Sequence, residues 1–374
     1  MDGDQIRAKR YSKIKFRITF ANIGTTFAFL IFMLASGASI SLSNAAARWT
    51  SGIYAQIGLY LLMFGVIFYI ITFSLDLYGG FVVEHRFSLS NQTFWGWLKK
   101  SLKKELLSLA ILLLVFELVY IFLRRFPATW WLWAAAGWVA LLIIIGKVTP
   151  VFLIPLFYKC KPLANKELRS RLLELSVSCG CPIKEVFEIN LSKDTKCANA
   201  GLVGMGNTRR IILSDTLMNN YSTEEIEAVL AHELGHLRLL HLWKLLGFGA
   251  GLTLAGFYLT YRFLERMVDL FGFAQVSDIA AFPLLALILM IFGVIVMPIQ
   301  NGISRHFERE ADRFALERTG RTQPFISAMT KLARQNLRDP SPNRFVELVL
   351  YDHPPISKRI SYAEGFGASK VSTD

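Results

Sequence analysis

The chain has 374 residues, of which 53% are hydrophobic and only 18% are charged. Soluble domains are about 25% charged, so the composition argues against a single soluble globule. The net charge of +13 would suggest a polyanionic partner in a soluble protein. However, residues 1–158 alone carry 15 basic and 6 acidic side chains. Most of the excess thus belongs to the apolar half, and we expect no nucleic-acid partner.

Six stretches are long and apolar enough to cross a lipid bilayer as helices, which takes about 20 residues each. They cover residues 18–40, 53–77, 106–123, 130–157, 243–262 and 279–300. The first follows a basic tail, but its apolar run is too long for a cleaved signal peptide, which indicates an uncleaved anchor. The sequence therefore predicts a mainly α-helical, polytopic membrane protein with about six transmembrane helices.

Basic residues are concentrated in two of the connecting segments. Six lie in the tail before the first span, and five lie between spans two and three, from Arg86 to Lys104. Because Lys and Arg are retained on the cytoplasmic side, we expect cytoplasmic termini and a cytoplasmic catalytic site. The host membrane would be the inner membrane of a bacterium or the endoplasmic reticulum of a eukaryote.

The same pattern predicts two domains. Residues 1–158 form a membrane domain with four transmembrane helices, and residues 159–374 form a catalytic domain interrupted by a transmembrane hairpin at 242–301. Within the polar half, residues 166–178 are typical of an amphipathic helix, and 186–191 of a short strand. Two further strand-like runs, 197–203 and 210–213, flank a turn-rich segment and predict a β-hairpin.

A capping box begins the helix that carries the chemistry. Ser222 is followed three residues later by Glu225, so a helix is expected to start near Thr223. That helix contains His232, Glu233 and His236 in the HExxH pattern of zinc proteases. Residues four apart share a helix face, so both imidazoles can bind one ion while Glu233 reaches a water molecule beside it.

A catalytic zinc site takes three protein ligands and keeps one position open. We expect the third ligand to be Glu308, with Glu310 as the main alternative. Asp312, four residues after Glu308, can accept the outer N–H of a ligand histidine. His236 lies just before span five and Glu308 just after span six, so a membrane hairpin returns the chain to the same surface.

These residues make the chain resemble the type I CAAX prenyl protease family of integral membrane zinc metallopeptidases. The resemblance covers nearly the whole chain. Its motifs are HELGH at 232–236, E-x-x-A-D at 308–312, Leu-Ser-Asn-Gln-Thr at 89–93, Asn-Ala at 199–200, Arg-Ile-Ile-Leu-Ser-Asp-Thr-Leu at 210–217 and His-Pro-Pro at 353–355. It implies a cytoplasmic zincin-like domain with a small β-sheet and one Zn²⁺ per chain.

The resemblance also implies roles for individual residues. Asn199 and Ala200 would lie on an edge strand to which the substrate adds as a further strand. His353 would stabilise the oxyanion of the tetrahedral intermediate, a structural histidine being the alternative. Arg359 would orient the site or pair with a carboxylate, the alternative being a surface arginine.

The sequence thus predicts a zinc metalloendopeptidase with Glu233 as general base. Its partners would be the bilayer and a membrane-associated peptide or protein substrate, with or without a lipid group. Two alternatives are a quality-control protease for membrane proteins and, in another class, a transporter or channel with a structural zinc. In the transporter, Glu117 and Lys147 would mark the pathway, because ionised groups inside a membrane are costly and usually functional.

Overall fold

A computed structural model describes residues 3–371, most of which are helical. The helices are α1 (Gly3–Ala35), α2 (Ala38–Trp49), α3 (Ile53–Leu77), α4 (Val83–Arg86), α5 (Phe94–Arg125), α6 (Trp130–Val148), α7 (Ile154–Phe157), α8 (Lys166–Ser178), α9 (Asp215–Met218), α10 (Thr223–Arg238), α11 (His241–Met267), α12 (Phe282–Thr319), α13 (Thr322–Gln335), α14 (Arg344–Leu350) and α15 (Ile356–Val371). The strands are β1 (Cys160–Pro162), β2 (Val186–Ile189), β3 (Ala200–Val203) and β4 (Arg210–Ser214).

Six helical segments of the described chain are long and apolar enough to cross a membrane, which confirms the predicted number. They are Gly3–Ala35, Ile53–Arg86, Phe94–Arg125, Trp130–Phe157, His241–Met267 and Ile279–Thr319. Single π-helical turns, Tyr78–Val82 and Thr149–Leu153, join α3 to α4 and α6 to α7. The chain is therefore a multi-pass, mainly α-helical membrane protein.

The helices extend well beyond the apolar stretches that predicted them. The basic tail is part of α1, and the lysines at 99–104 lie in the first turns of α5. Both basic segments are therefore helical, although no helix was predicted for them. Helix α2 was not predicted; its Ser39 hydroxyl lies 2.7 Å from the Tyr60 hydroxyl and 2.6 Å from the Ala280 carbonyl oxygen. Hydropathy reports only the lipid-facing part of a helix, because the polar ends face water or protein.

The two charged residues of the transporter alternative do not pair. Among the described residues, no ion pair joins Glu117 to Lys147. Instead, Glu117 packs against α3, where its Oε1 would lie 3.1 Å from a Cβ added to Gly58. The small residue on α3 leaves room for the carboxylate between the two helices.

The polar half contains a four-stranded sheet in the order β1-β2-β4-β3. Strands β3 and β4 pair antiparallel, which confirms the predicted hairpin, and β2 pairs parallel to β4. Strand β1 was not predicted because three residues give no readable alternation; it pairs antiparallel to β2. The sheet leaves β3 at an edge, beside the catalytic helix.

Helix α10 begins where the capping box predicts. The Ser222 hydroxyl accepts the Glu225 N–H at 3.3 Å, and the Glu225 carboxylate accepts the Ser222 N–H at 2.8 Å. Most of the helix is buried between the sheet and α12, and Leu230 and Leu234 are almost fully buried. Two imidazoles on such a helix gain fixed positions, because the surrounding core leaves the helix no freedom to shift.

Helices α10 and α12 approach each other closely at Gly235, inside the HExxH motif. A Cβ at this position would lie 3.2 Å from the Ala311 Cα, 3.2 Å from Cδ1 of the Phe314 ring and 3.3 Å from the Ala311 carbonyl oxygen. The two Ala311 atoms belong to the backbone, so they can give way only if the helices separate. Glycine therefore allows α12 to bring its acidic residues against the histidines of α10.

Gly235→Ala should lower the stability of the protein despite the higher helix propensity of alanine. Propensity favours the variant by about 1 kcal/mol, but overpacking of a tight contact costs about 1–3 kcal/mol. Thermal unfolding of the purified protein measures the difference. Gly365→Ala on α15 is the control: a Cβ there meets no atom within 4 Å, so it should stabilise by about 0.4–1 kcal/mol. A rise in the melting temperature of Gly235→Ala would contradict the close contact.

Candidate active site

The two histidines of the motif and Glu308 converge on one point between α10 and α12. His232 Nε2 lies 3.2 Å from His236 Nε2. The Glu308 carboxylate completes the group, with Oε2 3.3 Å from His232 Nε2 and Oε1 3.2 Å from His236 Nε2. His232 and Glu308 are buried, and His236 is partly exposed. The structure thus brings together the three residues that the sequence predicted as metal ligands.

The spacing of these donor atoms fits a tetrahedral metal ion. Zinc–nitrogen bonds of about 2.05 Å place neighbouring tetrahedral donors about 3.3 Å apart. The two imidazole nitrogens are 3.2 Å apart, and each lies 3.2–3.3 Å from a different oxygen of the Glu308 carboxylate. Glu308 Oε2 is buried and accepts no hydrogen bond from any described residue, although it lies within ion-pair distance of His232. Such a buried acceptor needs a partner, because its desolvation is otherwise uncompensated. A divalent cation between the three side chains would satisfy it.

Asp312 and Arg359 lie behind His232 as a buried ion pair. Asp312 Oδ1 is 2.8 Å from His232 Nδ1, and Arg359 reaches both carboxylate oxygens of Asp312, at 2.8 and 2.5 Å. Asp312 is 1% exposed and Arg359 is 6% exposed, so Arg359 is not the surface residue of the alternative interpretation. The carboxylate fixes the orientation of the His232 ring and leaves Nε2 directed at Glu308.

The electrostatics of the site favour a positive charge at its centre. Burial alone would lower the pKa of His232, but the neighbouring carboxylates of Asp312 and Glu308 outweigh burial and raise that pKa to about 10. Burial also acts against the Arg359 guanidinium, and Asp312 more than compensates, so the pKa of Arg359 is raised. A metal cation would take the place of the proton on His232 Nε2, because the same lone pair binds either.

A cleft of about 240 Å³ opens beside this group and holds the other predicted site residues. Its lining includes Glu233, His353, Asn199 and Ala200, together with His232. His353 Nε2 lies 3.3 Å from Glu308 Oε1, and its Nδ1 lies 2.8 Å from Asp352 Oδ1. Every site residue predicted from the sequence therefore lies in the cleft or directly behind it.

The edge of the sheet forms one wall of the cleft. The main chain of Asn199 is held by Ser214, since the Asn199 N–H donates to Ser214 Oγ and the Asn199 carbonyl accepts the Ser214 N–H, both at 2.9 Å. The Asn336 carboxamide bonds both the N–H and the carbonyl of Ala198, at 2.9 and 3.1 Å. These contacts fix the start of β3 and leave the Asn199 side chain exposed to the cleft.

Glu310, the alternative third ligand, does not join the group. Its carboxylate lies 3.0 Å from His241 Nε2 and 3.7 Å from His306 Nε2. His241 in turn lies 3.0 Å from the outer nitrogen of His236. His241 lies outside the HExxH motif, so the motif assigns it no role. The burial of His241 at the start of α11 could not be predicted from the sequence, because it depends on the turn that joins α10 to α11.

Two family models together match most of the chain. The model of Peptidase family M48 matches residues 162–366. A second model, described as CAAX prenyl protease N-terminal, five membrane helices, matches residues 3–159. Within that range the structure has four helices long enough to span a membrane.

Two relatives and one solved structure illustrate the similarity. The chain is 30% identical to the uncharacterized metalloprotease YhfN of Bacillus subtilis, over 96% of this chain and 84% of that protein. It is 29% identical to CAAX prenyl protease 1 of Saccharomyces cerevisiae, over 78% of this chain and 68% of the yeast protein. The crystal structure of S. mikatae Ste24p matches with a TM-score of 0.84 at 26% identity, over 96% of this chain and 88% of that one.

The fold and the site thus define a membrane-embedded metallopeptidase, a hydrolase that acts on peptide bonds. The chain belongs to Peptidase family M48. Membership of this family implies a metal ion, and the group formed by His232, His236 and Glu308, whose ligand atoms all lie within 4.8 Å of one another, can hold one.

Asp312→Ala should destabilise the protein by about 3–5 kcal/mol, because it leaves the Arg359 charge buried without a partner. The double variant Asp312→Ala/Arg359→Met removes that charge and should recover most of the stability. It should still bind metal more weakly, because His232 has lost its orienting carboxylate. Thermal unfolding and metal content are the measurements.

Arg313→Ala is the control for this pair, since it breaks an exposed ion pair with Glu317 on the same helix. Exposed pairs contribute at most about 1 kcal/mol. If Asp312→Ala behaved like Arg313→Ala, the buried network would have no structural importance.

Proposed function

We propose that the protein is a zinc endopeptidase that holds one Zn²⁺ per chain through His232, His236 and Glu308. The observation that carries this proposal is the convergence of two imidazole nitrogens and one carboxylate, whose ligand atoms all lie within 4.8 Å of one another, beside a cleft that Glu233 also lines. A zinc ion at this position supplies Lewis-acid chemistry, polarising the scissile carbonyl and acidifying a water molecule.

Glu233 acts as the general base and then as the general acid. Glu233 follows His232 in the sequence and lines the same cleft, so its carboxylate can accept a proton from the attacking water. The same carboxyl group then returns the proton to the nitrogen of the leaving amine. This transfer converts a poor leaving group into a neutral amine, which is the step that peptide hydrolysis requires.

His353 and Asn199 act on the substrate rather than on the water. His353 contacts Asp352 through Nδ1, and with both ring nitrogens protonated it can donate from Nε2 to the developing oxyanion. The exposed carboxamide of Asn199 can bind the main chain of a peptide that extends the sheet along β3. The edge position of β3 supports this mode, because its outer side lacks a partner strand among the described residues.

We infer that the catalytic site faces the cytoplasm. Lys100 Nζ, near the start of α5, lies 2.5 Å from Asp194 Oδ2 in the polar half, so the basic end of the membrane helices and the catalytic residues occupy the same side. Basic residues accumulate on the cytoplasmic side of membrane proteins. We also propose the division into a membrane domain at 1–158 and a catalytic domain at 159–374.

The proposed substrate is a peptide segment presented at the membrane surface, with or without an attached lipid. The cleft is lined by residues of α10, α13, the start of β3 and the segment around His353. Relatives named CAAX prenyl protease 1 support a CAAX-type, prenylated peptide as one such substrate. The substrate must be flexible where it binds, since only an extended segment can add to β3 as a further strand.

Glu233→Gln should lower peptide cleavage by about 10²- to 10⁴-fold, because the amide cannot carry the proton. Zinc content should stay at that of the wild type, since Glu233 is not a ligand. Inverted membrane vesicles, which expose the cytoplasmic face, should cleave an added peptide, and sealed right-side-out vesicles should not.

Glu224→Gln, in the first turn of the same helix and with a side chain that is 45% exposed, is the matched control and should leave cleavage unchanged. Full activity of Glu233→Gln would refute the proposed base. Cleavage only by right-side-out vesicles would reverse the proposed orientation.

A further inference from the structure

His241 occupies an unusual position behind the proposed metal site. It is the first residue of α11, it is 1% exposed, and it follows Leu240, whose backbone is left-handed with a φ of 58°. A non-glycine residue in this conformation is strained and persists only where surrounding contacts impose it. The sharp turn at Leu240 is what returns the His241 side chain to α10.

The imidazole of His241 bridges the proposed ligand His236 and a carboxylate. Its Nδ1 lies 3.0 Å from His236 Nδ1, and its Nε2 lies 3.0 Å from Glu310 Oε2. The ring also stacks on Phe307, with centroids 4.5 Å apart and planes 11° from parallel. Hydrogen bonds at both nitrogens and a stacked face leave the ring one orientation.

One placement of the ring protons satisfies every hydrogen bond between His236, His241 and Glu310. His236 can bind a metal through Nε2 only when its proton is on Nδ1. That N–H then needs an acceptor, which His241 provides if its own proton is on Nε2. The Glu310 carboxylate accepts that second proton and thereby selects this tautomer of His241. Each N–H therefore has one acceptor, and Nε2 of His236 remains free for the metal.

We propose that His241, together with Glu310, is a positioning element that fixes the tautomer and ring orientation of His236 for metal binding. The inference rests on the proposed metal site. It assigns the two ligand histidines different supports: His232 contacts the Asp312 carboxylate directly, whereas His236 reaches a carboxylate through a second imidazole.

The relay also ties the metal site to the membrane. His241 begins α11 and Glu310 lies on α12, so both belong to the two helices of the transmembrane hairpin. A shift of one helix along the other by a single residue is about 1.5 Å and would break a 3.0 Å contact. The hairpin must therefore keep its register for His236 to stay oriented.

Three substitutions at His241 separate positioning from packing. Asparagine places an oxygen near the position of Nδ1 and keeps an acceptor for His236, whereas phenylalanine keeps the stacked ring and loses both hydrogen bonds. Glutamine reaches toward Glu310 but withdraws the acceptor from His236. We expect His241→Phe and His241→Gln to weaken zinc binding by about 10- to 100-fold, and His241→Asn to weaken it least.

The measurement is the zinc dissociation constant of the full-length protein in detergent, obtained by competition with a chelator. His306→Asn is the matched control: His306 also contacts Glu310, but it does not contact His236. It should bind zinc as the wild type does. A role in packing alone gives the opposite order, in which phenylalanine is the mildest change, and that order would overturn the proposal.

Glu310→Ala gives an independent test, because Glu310 is partly exposed and its loss is compatible with folding. It should weaken zinc binding, and the double variant with His241→Phe should bind no more weakly than His241→Phe alone, since both act through one path. Additive losses would overturn the relay. A wild-type protein that binds no zinc would instead overturn the proposed metal site itself.

Discussion

The close approach of α10 and α12 at Gly235 is the contact on which the rest of the site depends. A Cβ on Gly235 would lie 3.2 Å from both the Ala311 Cα and the Phe314 ring of α12, so the two helices leave no room for a side chain here. Glu308 and Asp312 lie on either side of Ala311 along α12, so the same contact delivers one carboxylate to the front of His232 and another to its back. A wider separation would remove both carboxylates at once.

The charged side chains around this contact lie on two sides of the histidines. Glu308 faces the point between the histidines, Asp312 and Glu310 lie behind them, and Arg359 balances Asp312. The buried carboxylates of Glu308 and Asp312 would repel each other without such partners, because the low dielectric around the site strengthens the repulsion. Helix α12 runs unbroken from the membrane into the site, so the positions of its three carboxylates depend on the transmembrane hairpin.

Local patterns predicted the centre of the site, while tertiary structure supplied its support. The spacing of His232 and His236 follows from one helical turn, and the capping box at Ser222 marks the start of that helix. By contrast, the basic tail showed no sign that it would be helical, because its polar residues are compatible with either state. The support of His236 by His241 depends on the left-handed Leu240 and on the packing of α11 against α12, and neither is encoded in a short motif.

The central claim is that two imidazoles and one carboxylate hold a zinc ion where α10 meets α12. X-ray absorption at the zinc edge of the purified protein tests it most directly. The account predicts nitrogen and oxygen ligands only, at about 2.0–2.2 Å. Sulfur ligands at about 2.3 Å, which would point to the cysteines, or a protein that retains no zinc, would contradict it.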